Sequence, residues 1–288
     1  MSKVALALAL APWLGGCSPG AVEPPSSDRQ PQRIVSLDYC ADQYVLRFAN
    51  RNRILAVSPD AQRDFSYLRK RAAGLATVRP VAEDVIVLKP DLVVRSYGGG
   101  PQAPAMFARA GVPVHGVGWA EDFPAILLTI RNTAKALGAV EEGDRVAAEM
   151  SRRLEALRPA RTQGHPARRS ALYMTPAGVT SGPGSLIHEM LVAAGLDNFQ
   201  ARPGWRTLPL ERLAYEQPDL IAAAFFQSLT NHPSGWSPSR HPVAQSQLAE
   251  RNVVPIKGAW TACGAWFLMD AVESLARAAG APRQGGVR

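Results

Sequence analysis

Cysteine is scarce in this 288-residue chain: beyond Cys17 only Cys40 and Cys263 remain, which excludes a disulfide-stapled scaffold and any Cys-x-x-Cys metal or redox motif. These two thiols either bridge the chain or stay buried and free, and the residues leave both open. Past the first residues no run is long and apolar enough to span a bilayer. Charged residues make up only 19% and apolar ones 47%, a balance that excludes a disordered chain, while 24 glycines and 24 prolines point to many tight turns rather than a coiled coil.

Catalytic motifs are missing as well. His188-Glu189 begins a zincin pattern, but position 192 is Val where the second His would stand. Gly182-Pro-Gly184-Ser185 starts like a phosphate loop without a following Gly-Lys-Ser/Thr, so Ser185 is read as the N-cap of a helix from Leu186. No Gly-x-Ser-x-Gly elbow offers a nucleophile. The net charge of +8 is scattered, with one arginine-rich segment from Arg152 to Arg169 that reads as a helix end and linker; no nucleic-acid face is expected.

The chain does carry a compartment signal. Lys3 precedes an apolar run from Val4 to Leu14, followed by Leu14-Gly15-Gly16-Cys17 and a Pro/Ser-rich stretch. The preferred reading is a lipoprotein-type signal over 1–17 with Cys17 acylated, then a tether over 18–32; the alternative is an ordinary secretory leader cut nearby. Either one places the mature protein outside the cytoplasm, and the first holds it at the membrane by a lipid anchor.

Short apolar runs alternate with amphipathic stretches, which predicts α/β architecture with parallel sheets. Strands are expected at Arg33 to Leu37, Ile54 to Ser58, Leu92 to Arg95 and Val114 to Val117, and again at Ser170 to Met174, Leu220 to Ala224 and Val253 to Ile256. From Phe123 to Leu157 the pattern is helical, broken only around Gly138. The organisation that follows is an N-terminal α/β lobe over 33–122, a helical connector over 123–160 and a C-terminal α/β lobe over 161–288.

An internal echo links the halves. Glu83 is followed seven and eight residues later by Pro90-Asp91 and an apolar strand, and Glu211 by Pro218-Asp219 at the same spacing. A Glu in a first helical turn and a Pro-Asp stop suit either helix alone. Their repetition in successive lobes predicts pseudo-symmetry with one acidic residue presented on each.

Arg33-Ile-Val-Ser-Leu37, Leu88-Lys-Pro-Asp-Leu-Val-Val94, Ala110-Gly-Val-Pro-Val114, the helical connector and Ala194-Gly-Leu-Asp-Asn198 with the Glu211 copy lie in an order that resembles periplasmic binding proteins of the iron-siderophore, haem and vitamin B12 ABC importers. The resemblance spans residues 33 to 278. It implies two α/β lobes joined by a long rigid helix, a ligand cleft between them, and one glutamate per lobe, here Glu83 and Glu211, docking onto arginines of a permease dimer. It also implies a metal-chelate cargo, with no resident cofactor or metal, and a monomeric binder. Cobalamin is the leading ligand and a ferric siderophore or haem the runner-up; a chelatase-like enzyme of similar architecture is the alternative from another class.

A binder of large flat chelates needs aromatic surface and a few placed polar groups. The candidates are Tyr97, Trp119, Trp205, Trp236 and Trp260, with Arg95 as a bidentate partner for carboxylates. Trp205 lies six residues before Glu211, where the B12-binding relatives place a cleft tryptophan, while the matching first-lobe position is Thr77. Tyr97 precedes Gly98-Gly99-Gly100, a turn similar to the glycine pair of those relatives, at a strand's carboxyl end where α/β sites lie. His232 and His241 bracket the loop that holds Trp236.

Overall fold

The computed structural model describes residues 30–157, 168–224 and 237–280. Cys17, Trp236 and His232 lie outside the described residues.

The first lobe is a four-stranded parallel sheet of β1 (Ile34–Ser36), β2 (Ile54–Ala56), β3 (Leu92–Arg95) and β4 (Val114–Gly116) in the order β2-β1-β3-β4. The strands are short and mostly buried, as expected where helices cover a parallel sheet. Around them run α1 (Tyr39–Phe48), α2 (Arg69–Ala72), α3 (Ala82–Ile86) and α4 (Ala103–Arg109).

The helical stretch after the first lobe is two helices, α5 (Phe123–Ala136) and α6 (Val140–Ala156), separated by Gly138 at φ +68. Gly143 lets them pack closely, because a Cβ there would sit 2.4 Å from the Cβ of Ala134. His115 on β4 meets Thr133 of α5 at 3.0 Å, so α5 packs on the first lobe. The bridge is α6. Its start pairs with the first lobe through Arg47–Glu142 at 2.5 Å, and near its end Arg153 donates to Asp270 and Glu273 at 2.7 Å each.

The second lobe contains β5 (Ser170–Met174), β6 (Val179–Ser181), α7 (Leu186–Ala193), β7 (Asp197–Asn198), β8 (Trp205–Thr207), α8 (Leu210–Tyr215), β9 (Leu220–Ala223), α9 (Pro242–Glu250), β10 (Asn252–Pro255), α10 (Gly258–Thr261) and α11 (Leu268–Gly280). Its parallel sheet runs β10-β9-β5-β7. Read from the other edge, that is the first, second, third and fourth parallel strands in the same order as in the first lobe, so the pseudo-symmetry extends to topology. An antiparallel ribbon of β6 and β8 is the addition, and it puts Trp205 on a strand paired with Ser181 rather than in a loop.

The Pro-Asp of the internal echo has a structural role in both lobes. Asp91 accepts the backbone N–H of Arg33 at 2.8 Å, just ahead of β1, and Asp219 accepts that of Ser170 at 2.9 Å, at the start of β5. Each aspartate thereby fastens its lobe's first strand to the third. Ser185 caps α7 as expected, its Oγ accepting the N–H of His188 at 3.2 Å.

Asp42, fully buried on α1, accepts from the backbone N–H and the hydroxyl of Ser58 at 3.0 and 2.6 Å. Burial outweighs these bonds and pushes its carboxyl from 3.8 up to about 6. The folded chain thus holds this proton more tightly than the unfolded chain, so Asp42's contribution to stability is complete below about pH 4 and is lost as pH rises through about 6. Urea unfolding of wild type and Asp42→Asn from pH 4 to 8 should show the wild type losing ground to the variant across that window. A difference independent of pH would contradict the assignment.

Candidate functional site

In both sheets the direction of chain progression reverses between the first and third strands, and ligands of open α/β sheets bind outside the carboxyl ends at such a point. In the first lobe those ends are Leu37-Asp38 and Ser96-Tyr97. One carboxylate organises them. Asp38 Oδ1 accepts the N–H of Ala41 at 2.9 Å, capping α1, while Oδ2 accepts from Ser96, Tyr97 and Gly98 at 2.7, 3.0 and 2.9 Å. Gly98 is required here, since a Cβ would lie 2.4 Å from the carbonyl oxygen of Leu37. Arg95 closes the same turn, donating to the carbonyls of Gly98, Tyr97 and Gly100 at 2.6, 3.0 and 2.9 Å. Its guanidinium is engaged with backbone, which the sequence pattern did not disclose.

Beside this turn lies a cleft of about 370 Å³ with walls from both lobes. The first lobe contributes Cys40, Tyr44, Ser96 and Val117 to Glu121; the second contributes Gly184 to Ile187, Gly204, Trp205 and Thr261 to Gly264. Two predicted aromatics are thus brought together from opposite lobes. Trp119, in the loop after β4, is 79% exposed, and Trp205 is 54% exposed with its ring edge-on to Tyr173 at 6.3 Å. Both indoles thus present apolar surface to the cleft.

Tyr97 is not part of this wall but follows Ser96, which is, and its ring packs edge-on to Tyr39 at 5.9 Å. Burial, with Tyr39 and the Asp38 carboxylate near, raises its phenol, so the hydroxyl stays protonated. Trp260 is half-buried next to the wall residue Thr261, with Lys257 Nζ over its ring at 5.0 Å. Arg202 and Arg206 border a different pocket, alongside Glu211.

The junction between lobes forms part of the cleft. Cys40 and Cys263 are joined by a disulfide with Cα atoms 5.7 Å apart. On either side of Cys40, Tyr39 donates to Ala262 O at 2.9 Å and Tyr44 to Gly264 O at 3.2 Å. Asp38, the Ala262–Gly264 segment, Gly118 and Ser185 went unremarked as site residues in the sequence; a cap-forming Asp directly after a strand is the one signal that could have drawn notice to the first.

Glu83 and Glu211 stand in the first turns of α3 and α8, exposed, and neither makes a hydrogen bond or ion pair among the described residues. No described helix is long and apolar enough to cross a membrane.

Two parallel-sheet lobes of matching strand order, bridged by a helix and sharing one aromatic cleft, have the architecture of a two-lobed binding protein. Residues 34–228 match the periplasmic binding protein family, and the chain belongs to it. It is 24% identical over 212 residues to the vitamin B12-binding protein of Yersinia pseudotuberculosis serotype O:3 (strain YPIII), covering 72% of this chain and 75% of the relative. Among solved structures it is similar in fold to the periplasmic haem-binding protein RhuT from Roseiflexus sp. RS-1 in apo form, at TM-score 0.67 and 21% identity over 86% of this chain and 97% of that one. The vitamin B12-binding protein BtuF of Vibrio cholerae matches at TM-score 0.64 and 20% identity over 86% and 96%.

A disulfide that closes a loop of 223 residues restricts the unfolded chain strongly and should contribute about 2–4 kcal/mol. Cys40→Ser/Cys263→Ser is expected to lower the calorimetric unfolding midpoint by roughly 5–15 °C. Reductant should lower the wild type equally and leave the double variant unmoved. An unchanged midpoint in the variant would contradict a stabilising inter-lobe bridge.

Proposed function

We propose that the protein captures a metal chelate between its lobes outside the cytoplasm and delivers it to an ABC permease, with cobalamin as its cargo. The observation that carries this reading is the pair Trp119 and Trp205, one from each lobe, left exposed across a single cleft. Indole faces cover the flat surface of a macrocycle with little loss of rotamer entropy.

The character of the wall favours a corrinoid over haem or a carboxylate siderophore. The protein's net charge is +8, yet the described wall carries no basic side chain, and its one charged residue is Glu121. Haem propionates and siderophore carboxylates call for Arg or Lys. Haem also calls for an axial donor. Among the described wall residues, the two sulfurs are locked in the disulfide, and the Tyr44 phenol donates to Gly264 O and is raised far by burial. A cobalt already saturated by its own ligands needs neither. A corrinoid exceeds 370 Å³, so it enters with one part and extends past the rim, where Tyr97 stands.

The remaining assignments belong to the same reading. Cys17 carries the lipid anchor, and Glu83 and Glu211 meet arginines of the permease dimer in charge-assisted pairs. Trp260 and Trp236 are secondary cleft candidates, and Arg95 acts by holding the Tyr97–Gly100 turn.

Removing one aromatic face costs on the order of 2 kcal/mol, so Trp205→Ala should weaken binding about 30-fold while leaving the thermal midpoint near that of wild type. Tryptophan fluorescence, titrated with cobalamin, haem and a ferric siderophore, reads ligand and site together because all three absorb in the emission range. Tight cobalamin binding unaffected by Trp205→Ala would remove Trp205 from the site. No quenching by any of the three would remove the chelate reading.

A further inference from the structure

Helices α3 and α8 carry an outward feature besides their glutamates. Four residues after Glu83 stands Val87, 72% exposed, and four residues after Glu211 stands Tyr215, 91% exposed. Residues four apart share one face of a helix, and Val87 continues the α3 geometry as its cap at φ −64 and ψ −22. Midway between, Val85 and Leu213 point inward and are buried. Both helices therefore read out-in-out at the same spacing: free carboxylate, core anchor, bare apolar side chain.

Folding does not explain the outer apolar residue. A polar side chain would serve as well on a one-turn helix whose core contact is already made by Val85 or Leu213. Its recurrence at the same step from an unpaired glutamate, in two lobes of the same strand order, points to a common partner. The other exposed large apolar residues among those described have different settings: Trp119 and Trp205 on the cleft wall, Tyr97 next to the wall residue Ser96, Leu128 and Val140 on α5 and α6, and Val81 just ahead of α3.

We propose that Val87 and Tyr215 are apolar docking contacts, each seated beside the cationic group that receives Glu83 or Glu211 on the permease dimer. This rests on the docking role assigned to those glutamates. The partner it describes has two receiving sites, each with a basic side chain next to an apolar hollow. The apolar contact excludes water from the ion pair, and so strengthens a charge-assisted bond that in open solvent would be worth little. Because Tyr215 buries much more surface than Val87, the second lobe supplies the larger share of the apolar contact.

The test uses the full-length chain in cells of its own organism that lack the native copy. Initial uptake of radiocobalt-labelled cobalamin, radioiron-labelled haem and a radioiron-labelled hydroxamate siderophore is measured alongside the chelate affinity and thermal midpoint of each purified variant. Tyr215→Ser should lower uptake about tenfold and Val87→Ser about threefold, with chelate affinity within about twofold of wild type. Tyr215→Leu should restore most of the loss, because the contact needs apolar surface rather than a hydroxyl. Leu128→Ser, at an apolar residue of α5 that is 59% exposed and far in sequence from either glutamate, should transport normally.

If Glu83→Lys or Glu211→Lys abolishes uptake while Val87→Ser and Tyr215→Ser transport as wild type, the apolar contacts are refuted and the docking glutamates stand. If all four transport normally, both fall. Loss with the two serine variants that is matched by lost chelate affinity or a lowered midpoint would overturn a docking role. Uptake of none of the three chelates by wild-type cells, beyond that of cells lacking the protein, would remove the chelate reading and this inference with it.

Discussion

The cleft depends on the seam where α1 meets the segment Ala262–Gly264. Three side chains close together on α1 each hold one residue of that segment: Tyr39 binds Ala262, Cys40 is bonded to Cys263, and Tyr44 binds Gly264. Rings continue the seam, with Tyr67 stacked on Phe267 at 4.5 Å and Trp266 edge-on to Tyr44 at 5.5 Å. The Tyr67 hydroxyl then donates to Asp270, which also receives Arg153 from the bridging helix. First lobe, bridge and second lobe thus meet in one bonded cluster. Since Cys40, Tyr44 and Ala262–Gly264 also line the cleft, the lobes cannot separate there without breaking it.

Within that frame the two lobes divide inward from outward work in the same way. The aspartate of each repeated segment ties down the first strand of its own sheet, while the glutamate eight residues earlier makes no hydrogen bond or ion pair among the described residues. The repeated motif therefore has two parts: a fastening needed by the fold and an exposed carboxylate with no hydrogen bond or ion pair among the described residues. The ordinary helix-start role of a first-turn glutamate applies to both copies, but it does not account for their shared distance from the fastening residue.

Much of the architecture was legible because buried parallel strands must be short, apolar runs, and Leu92–Arg95 and Ser170–Met174 have the bounds that pattern implies. The β6–β8 ribbon was not legible. Val179-Thr-Ser and Trp205-Arg-Thr show no sustained alternation, and their pairing is set by contacts distant in the chain. Nor could the connector's division of labour be read, since α5 and α6 are both amphipathic and only packing decides that one covers a lobe and the other bridges. Cysteine pairing across 223 residues is likewise a tertiary fact. At the site, the aromatic residues were conspicuous because they are few, whereas small wall residues such as Gly118, Ser185 and Gly264 have no chemical signature. Arg95 was misleading for the opposite reason: its guanidinium suits a carboxylate ligand, and local backbone carbonyls take it up.

Native mass spectrometry of the full chain isolated from its own cells tests the proposed corrinoid cargo of this cleft without a choice of added ligand. The expected result is one bound species per protein, with the mass of a cobalt corrinoid, released by denaturation. A bound haem or ferric siderophore would contradict the corrinoid assignment while leaving the binding-protein architecture intact.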